Sequence, residues 1–244
     1  MSLSTDAASN EPVSRRAHCR YALVMTETDD ILEKKSKPGV RRRADEIAQF
    51  RCKNTVAVLE NPAKLVNLAS VIRNVNAMGI EKVFVIDHAQ SLPDDWQDMR
   101  ERRSLRKASV SAVKWTYVKR FDTTAECHEH LRKKQYVSVA TSPHVKNKKS
   151  LYLDEADFTP HAKLAVWFGT EGRGLTDEAI EGCEMCVAVP MFGMVESLNL
   201  GTCSGIVLYE VAKQRRAYQS RFRKSGHRGR RAVPLPTVMP LGER

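Results

Sequence analysis

Three stretches of this sequence gather small polar side chains, glycines and two arginines where apolar runs give way to turns. In residues 187–210, VAVPMFGMVESLNLGTCSGIVLYE, the apolar run Val187–Ala188–Val189 stops at Pro190, the pattern of a buried strand's end. Pro190 and Gly193 bracket a turn carrying Met191, Phe192 and Met194. Ser197 then reads as the N-cap of a helix whose apolar positions Leu200, Cys203, Val207 and Val211 are spaced three and four apart. Ser197 and Asn199 therefore fall where a strand hands over to a helix, which is where open α/β sheets bind ligands.

Residues 61–79, NPAKLVNLASVIRNVNAMG, carry an apolar stripe of Leu65, Leu68, Ile72, Val75 and Met78. Against that stripe Asn67, Arg73 and Asn74 are the polar residues of interest. Arg73 alone reads as either a surface charge or a functional cation. Residues 168–175, FGTEGRGL, place glycines directly after a strand, where backbone can approach a ligand closely. Their order is not G-x-G-x-x-G and no G-K-[ST] follows, so a dinucleotide or nucleoside-triphosphate site is poorly supported. Cys183 and Cys186 have metal or redox spacing but stand without a second pair, so no metal is expected.

The elements that must position these residues follow from periodicity. Strands are expected at 55–59 (TVAVL), 82–87 (KVFVID), 136–141 (YVSVAT) and 164–168 (LAVWF), with another strand edge near Trp115 and Val118. Helices are expected at 65–79, ending at Gly79, at 123–134 and at 176–183. Strand–helix–strand spacing at 55–87 is a βαβ unit, hence an α/β fold with a parallel sheet flanked by helices. Residues 88–110 hold Arg100, Arg102, Arg103, Arg106 and Lys107, read as a loop reaching substrate phosphates or merely facing solvent; Lys146, Lys148 and Lys149 form another basic loop.

The chain has 244 residues, is 42% hydrophobic and carries a net charge of +11. That excess argues for a polyanionic partner, nucleic acid before an anionic membrane. No apolar run is long enough to span a bilayer and the N-terminal residues lack a signal-peptide core, so a cytoplasmic location with cysteines kept as thiols is expected. Residues 1–40 are polar and aperiodic, and Arg41-Arg42-Arg43 opens a helical pattern that serves as a solvated face or an RNA-contacting arm. Residues 213–231 hold nine Lys or Arg and no acid, before a proline-containing tail. Such a block suggests a flexible arm binding phosphates in a salt-dependent way.

Taken together, residues 61–79, 168–175 and 189–210 resemble the SPOUT class of RNA methyltransferases, and within it the TrmH family of ribose 2′-O-methyltransferases. Asn67 and Arg73 match the family's first motif, Glu171 its second-motif glutamate, and PMFGMVESLN its third motif. The resemblance covers roughly residues 44–216, leaving 1–43 as a polar, basic N-terminal extension and 217–244 as a basic C-terminal tail. It implies a parallel α/β domain whose C-terminal segment is threaded into a deep trefoil knot, a device sequence pattern would not suggest. It also implies S-adenosylmethionine as methyl donor, held near Thr141, Gly169, Val189, Met191 and Leu198, with no metal. The residues implied in catalysis are Asn67, Arg73, Glu171, Ser197 and Asn199. The implied assembly is a homodimer, and the implied substrate a D-loop guanosine of tRNA; an rRNA is the alternative, and a non-catalytic RNA-binding module a more distant one.

Moving a methyl group onto a ribose hydroxyl demands in-line positioning and removal of a proton. No histidine lies in the three segments. The resemblance puts Arg73 in the role of base, yet arginine normally keeps its proton. A phosphate-clamping Arg73 that orients the ribose is equally consistent, and Ser197 could cap the helix, bind substrate or do both.

Overall fold

The computed structural model describes residues 38–48, 51–142, 148–170 and 172–225. The chain divides into two compact units, residues 1–49 and 50–244. In the first, α1 (Pro38–Ala48) exposes Arg42 and Arg43.

The second unit is built on β1 (Cys52–Glu60), β2 (Ile80–Ile86), β3 (Tyr117–Phe121), β4 (Val137–Thr141), β5 (Ser150–Tyr152), β6 (Leu164–Phe168) and β7 (Met185–Ala188). These form one seven-stranded sheet in the order β3-β2-β1-β6-β4-β7-β5, and every pairing is parallel. The expected βαβ unit is present: α2 (Leu65–Ala77) links β1 to β2 and ends just before Gly79, whose φ of 73° suits glycine.

Near-continuous apolar strands reflect burial on both faces. On one face Ala57, Leu59, Val83, Val85, Val166 and Phe168 pack with Leu68, Ile72 and Val75 of α2 and with Val207, Leu208 and Val211 of α7 (Leu200–Ser225). On the other, the alternate residues Val56, Val58, Phe84, Ile86, Ala165 and Trp167 pack with Cys127 and Leu131 of α5 (Thr124–Lys133) and Ala179 of α6 (Asp177–Glu181). Because all strands are parallel, the segments after Glu60, Ile86, Thr141, Phe168 and Ala188 emerge along one edge of the sheet.

Three expectations about the elements need correction. The charged stretch 88–110 contains α3 (Trp96–Glu101) and α4 (Arg103–Ala108) rather than one loop. Within it Arg100 is buried over the Trp96 ring at 4.7 Å, Arg102 donates to the Ser91 carbonyl and Arg106 pairs with Glu101. Lys148 likewise donates to the carbonyls of Glu181 and Cys183, tying the α6 terminus instead of reaching outward; Lys146 lies outside the described residues. Finally, the basic C-terminal stretch continues α7 as helix to Ser225. Its Arg215 is buried, donating to the carbonyls of Phe158, His161 and Ala162, and Arg216 donates to that of Met78. The sequence pattern misses β5, because three residues are too short to show alternation.

Candidate active site

At the C-terminal edge of the sheet, a cavity of about 460 Å³ opens between the ends of β4, β6 and β7 and the start of α7. That volume is within the usual range for small-molecule sites. Thr141, Gly169, Val189, Met191 and Leu198 all line it, together with Ser197. Its walls are mixed. Phe168, Val187, Leu200 and Val207 supply apolar surface, while Thr170, Arg173, Asp177 and Glu196 supply polar groups.

The glycine-rich loop is folded back on itself. Thr170 and Gly174 exchange two backbone hydrogen bonds, 3.1 and 2.9 Å, in an isolated antiparallel bridge. A Cβ on Gly169 would lie 2.0 Å from the Gly174 carbonyl carbon, so no other residue fits without opening the loop. Gly174 has φ of 69°, a second position that favours glycine. Glu171 lies outside the described residues.

The loop is anchored from behind by a residue that falls just past the strand expected at 55–59. Glu60, 2% exposed, accepts hydrogen bonds from the Thr176 amide (2.8 Å), the Thr176 hydroxyl (2.7 Å) and the Thr124 hydroxyl (2.6 Å). Thr176 in turn caps α6 by accepting from the Ala179 amide. One buried carboxylate thus joins β1, α5 and the wall of the cavity formed by Leu175, Asp177 and Ile180. Its signal in the sequence is an acid directly after the uninterrupted apolar run Val56–Leu59. Ser142, Asp177 and Glu196 are further lining residues that no motif singles out.

The helix start differs from expectation in one respect. Asn199, not Ser197, caps α7: its Oδ1 accepts from the Gly201 amide at 2.9 Å and its carbonyl from the Cys203 amide at 2.8 Å. Ser197 stays exposed in the cavity wall, free of a capping duty. Asn199 Nδ2 also donates to Oδ1 of Asn67, which is buried in the first turn of α2. Farther along α2, Asn74 Nδ2 donates to the Gly201 carbonyl (2.7 Å) and Ser204 hydroxyl (3.0 Å). Gly201 allows this approach, since a Cβ there would meet Ser70 at 2.9 Å. The structure therefore brings Asn67 and Asn199 together and sets Ser197 beside the cavity. Arg73 lies exposed on α2 and makes no hydrogen bond or ion pair with another described residue.

Cys183 and Cys186 are buried; burial raises both thiols' pKa, and Cys183 donates to the Ala179 carbonyl. Thiols so held are small core residues. Among the described residues no group of three or more His, Cys, Asp or Glu could hold a metal ion.

A family model described as the SpoU rRNA Methylase family matches residues 54–209, more than half of the chain and the whole span from β1 into α7. The chain belongs to the SpoU methylase family. A relative in Thermus thermophilus named tRNA (guanosine(18)-2′-O)-methyltransferase is 26% identical over 175 residues, covering 72% of this chain and 82% of that protein. The fold is also that of the A. aeolicus TrmH/SpoU tRNA modifying enzyme, with a TM-score of 0.60 at 21% identity, covering 72% of this chain and 82% of that one. The SpoU methyltransferase AviRb from Streptomyces viridochromogenes, solved in complex with AdoMet, matches with a TM-score of 0.57 at 22% identity over 71% of this chain and 64% of its own. The three segments that carry the family resemblance in the sequence fall within the matched residues or reach one position past them.

Proposed function

We propose that this protein is an S-adenosylmethionine-dependent RNA ribose 2′-O-methyltransferase acting on tRNA, with a D-loop guanosine as the methylated nucleotide. The observation that carries the reading is the coincidence of one cavity with Thr141, Gly169, Val189, Met191 and Leu198. Thr141, Gly169, Val189 and Met191 come from the ends of three separate strands and Leu198 from just before α7, and the family resemblance nominates all five independently of any geometry. The tRNA assignment is supported by the activity for which the Thermus thermophilus relative is named and by the net charge of +11.

The lining suits the cofactor. Folded-back backbone at Gly169–Gly174 offers amide and carbonyl groups, apolar side chains offer a surface for a flat base, and the Asp177 and Glu196 carboxylates favour a cationic ligand. When bound, S-adenosylmethionine supplies an electrophilic methyl group. Asn199, fixed by its capping role, orients Asn67 in the first turn of α2. Ser197 presents a hydroxyl to the substrate side of the cavity. Arg73, an exposed cation, holds an RNA phosphate and so orients the ribose hydroxyl for in-line attack. Glu171, which the resemblance gives as the second-motif glutamate, completes the set.

The reading extends to the assembly. Phe192, Met194 and Val195 are 97%, 100% and 61% exposed on the loop leading to α7, and Ile206 and Tyr209 continue the apolar surface along that helix. Exposure of this kind supports a homodimer formed around the cavity mouth. The strand order, in which β7 enters between β4 and β5 before α7 returns to pack on α2, supports a trefoil-knotted C-terminal segment. The methyltransferase domain then spans 44–216, between a polar, basic N-terminal extension and a basic C-terminal tail that contacts RNA, in a cytoplasmic enzyme. Among the described residues no helix is long and apolar enough to cross a membrane.

Labelled S-adenosylmethionine incubated with unmodified tRNA and with rRNA decides the substrate. Label in tRNA, mapped to the D-loop guanosine, is the expected result; label in rRNA alone overturns the tRNA assignment.

A further inference from the structure

The loop after β2 holds a histidine that none of the three motifs contains. His88 is exposed and follows the buried Asp87 at the edge of the sheet from which the cavity opens. Its backbone amide donates to Asn61 Oδ1 at 3.1 Å, and Asn61 Nδ2 lies 3.1 Å from His88 Nδ1. This reciprocal pair fixes the ring's protonation pattern by elimination. A backbone amide only donates, so the Asn61 atom facing it is the oxygen, and the other is the NH₂ group. That group only donates, so His88 Nδ1 accepts and Nε2 carries the ring proton.

The clamp is held at a conformational cost. Asn61 has φ of 45°, the left-handed region, directly after β1. Backbone outliers of this kind persist where surrounding structure enforces them and cluster at functional sites. The histidine loop is equally fixed. Asp87 accepts from the Leu92 amide at 2.8 Å and from the Ser91 hydroxyl, Gln90 also has positive φ, and Arg102 donates to the Ser91 carbonyl. An exposed side chain on a pinned loop, at the sheet edge from which the cavity opens, is available to a ligand and fills no core.

Registers give the distance to the cavity. Glu60 pairs with Ile86, and Leu59 with Phe168, so the end of β2, two residues before His88, stands level with the start of the glycine-rich loop, two strands away. Two strand spacings are about 10 Å. That separation suits a contact to a nucleotide flanking one whose ribose lies at the cavity.

We propose that His88, held by Asn61, is a substrate-positioning residue whose Nε2–H donates to the RNA strand next to the methylated nucleotide. This rests on the RNA methyltransferase reading above. RNA loops recognised by proteins splay their nucleotides outward, and imidazole offers both a donor and a flat face to them.

The test is steady-state methylation of tRNA by the full chain, with cofactor affinity measured separately. His88→Ala raises KM for tRNA about fivefold to tenfold, the size of one hydrogen bond, with S-adenosylmethionine affinity and melting temperature unchanged. His88→Gln, which keeps a donor near the Nε2 position, recovers part of the loss. Asn61→Gly relieves the backbone outlier but frees the ring, so it raises KM for tRNA without lowering the melting temperature. An unchanged KM in His88→Ala overturns the proposal while leaving the enzyme assignment intact. So does a parallel loss of cofactor affinity and stability, which marks a purely structural role. Absence of RNA methylation by the wild-type chain overturns the enzyme reading and this inference with it.

Discussion

Asn199 Nδ2 donates to Asn67 Oδ1 across 3.4 Å, joining the start of one helix to the first turn of another 132 residues earlier. The same Asn199 caps its own helix through Oδ1. One amide thus serves two purposes, and substitution can separate them. Aspartate is as good an N-cap as asparagine but has no donor to offer Asn67. Asn199→Asp is expected to melt within a few degrees of wild type yet lose most methyl transfer. Asn199→Ala loses both, with about 1 kcal/mol of the stability change coming from the cap. Thermal melts beside turnover numbers check this; normal turnover in Asn199→Asp sinks the pairing as a functional contact.

Arg73 presents the reverse case, a residue with nothing structural to lose. It is exposed on α2 and makes no hydrogen bond or ion pair with other described residues. Arg73→Ala should therefore leave the melting temperature and S-adenosylmethionine affinity almost unchanged while abolishing transfer. Calorimetric titration of the cofactor, run beside the transfer assay, makes the comparison. Near-normal turnover would remove Arg73 from the mechanism. Arg73→Lys distinguishes a point charge from a bidentate clamp, because lysine keeps the charge but loses the planar fork.

Glu60 acts through the cavity wall. Removing its carboxylate leaves the Thr176 amide and hydroxyl and the buried Thr124 hydroxyl without their acceptor. Glu60→Ala is expected to cost about 3 kcal/mol of stability. Glu60→Gln, which retains one oxygen, keeps the fold but weakens cofactor binding, because Thr176 anchors the wall containing Leu175 and Asp177. A Glu60→Gln protein with wild-type cofactor affinity would reduce this residue to a packing role.

Much of this arrangement is legible in the sequence, for identifiable reasons. The β1–α2–β2 unit declares itself because Val56 to Leu59 are apolar without interruption and Leu68, Ile72 and Val75 recur at helical spacing. The gathering of Thr141, Gly169 and Val189 is not legible from pattern, since it depends on β7 and β6 flanking β4, a long-range order that no local spacing encodes. Family resemblance supplies what periodicity cannot. Ser197 and Asn199 are both good N-caps two positions apart, so residue type favours neither and only the backbone path gives the cap to Asn199. Arg215 hides in a lysine–arginine run whose composition reads as solvent-facing, although this one member turns inward to three carbonyls.

A pH effect on stability follows from His130. Burial first, then the nearby cations Lys119, Lys134, Lys133 and Lys82, lower its pKa from the usual 6.5 to about 4. Its ring meets Phe84 and Phe121 at centroid distances of 5.5 and 5.2 Å. The unfolded chain therefore takes up a proton near pH 6.5 that the folded chain refuses until about pH 4. Between those values the unfolded state binds more protons, so stability falls as the pH falls and is fully present above pH 6.5. Denaturant midpoints at several pH values should drop through this window, and His130→Gln should flatten the drop. An identical pH slope in wild type and variant would exclude His130 as the source.

The basic C-terminal stretch divides into a structural part and an RNA-binding part, and the two should respond to different measurements. Arg215 is 2% exposed and donates to the carbonyls of Phe158, His161 and Ala162, so Arg215→Ala is expected to cost about 2–4 kcal/mol of stability. Its effect on the salt dependence of RNA binding should be nil, because a buried guanidinium releases no counterions from RNA. Deleting residues 226–244 removes Arg228, Arg230, Arg231 and Arg244 together with the prolines at 234, 236 and 240, and leaves every described residue in place. That truncation should leave the melting temperature unchanged while lowering tRNA affinity. The slope of log affinity against log salt should fall by about one unit for each phosphate that the tail no longer neutralises. A truncated protein with the wild-type slope would show that the tail does not touch the backbone of the RNA. The electrostatic footprint would then fall to cations of the folded domain such as Arg103 and Lys107, which remain exposed on α4.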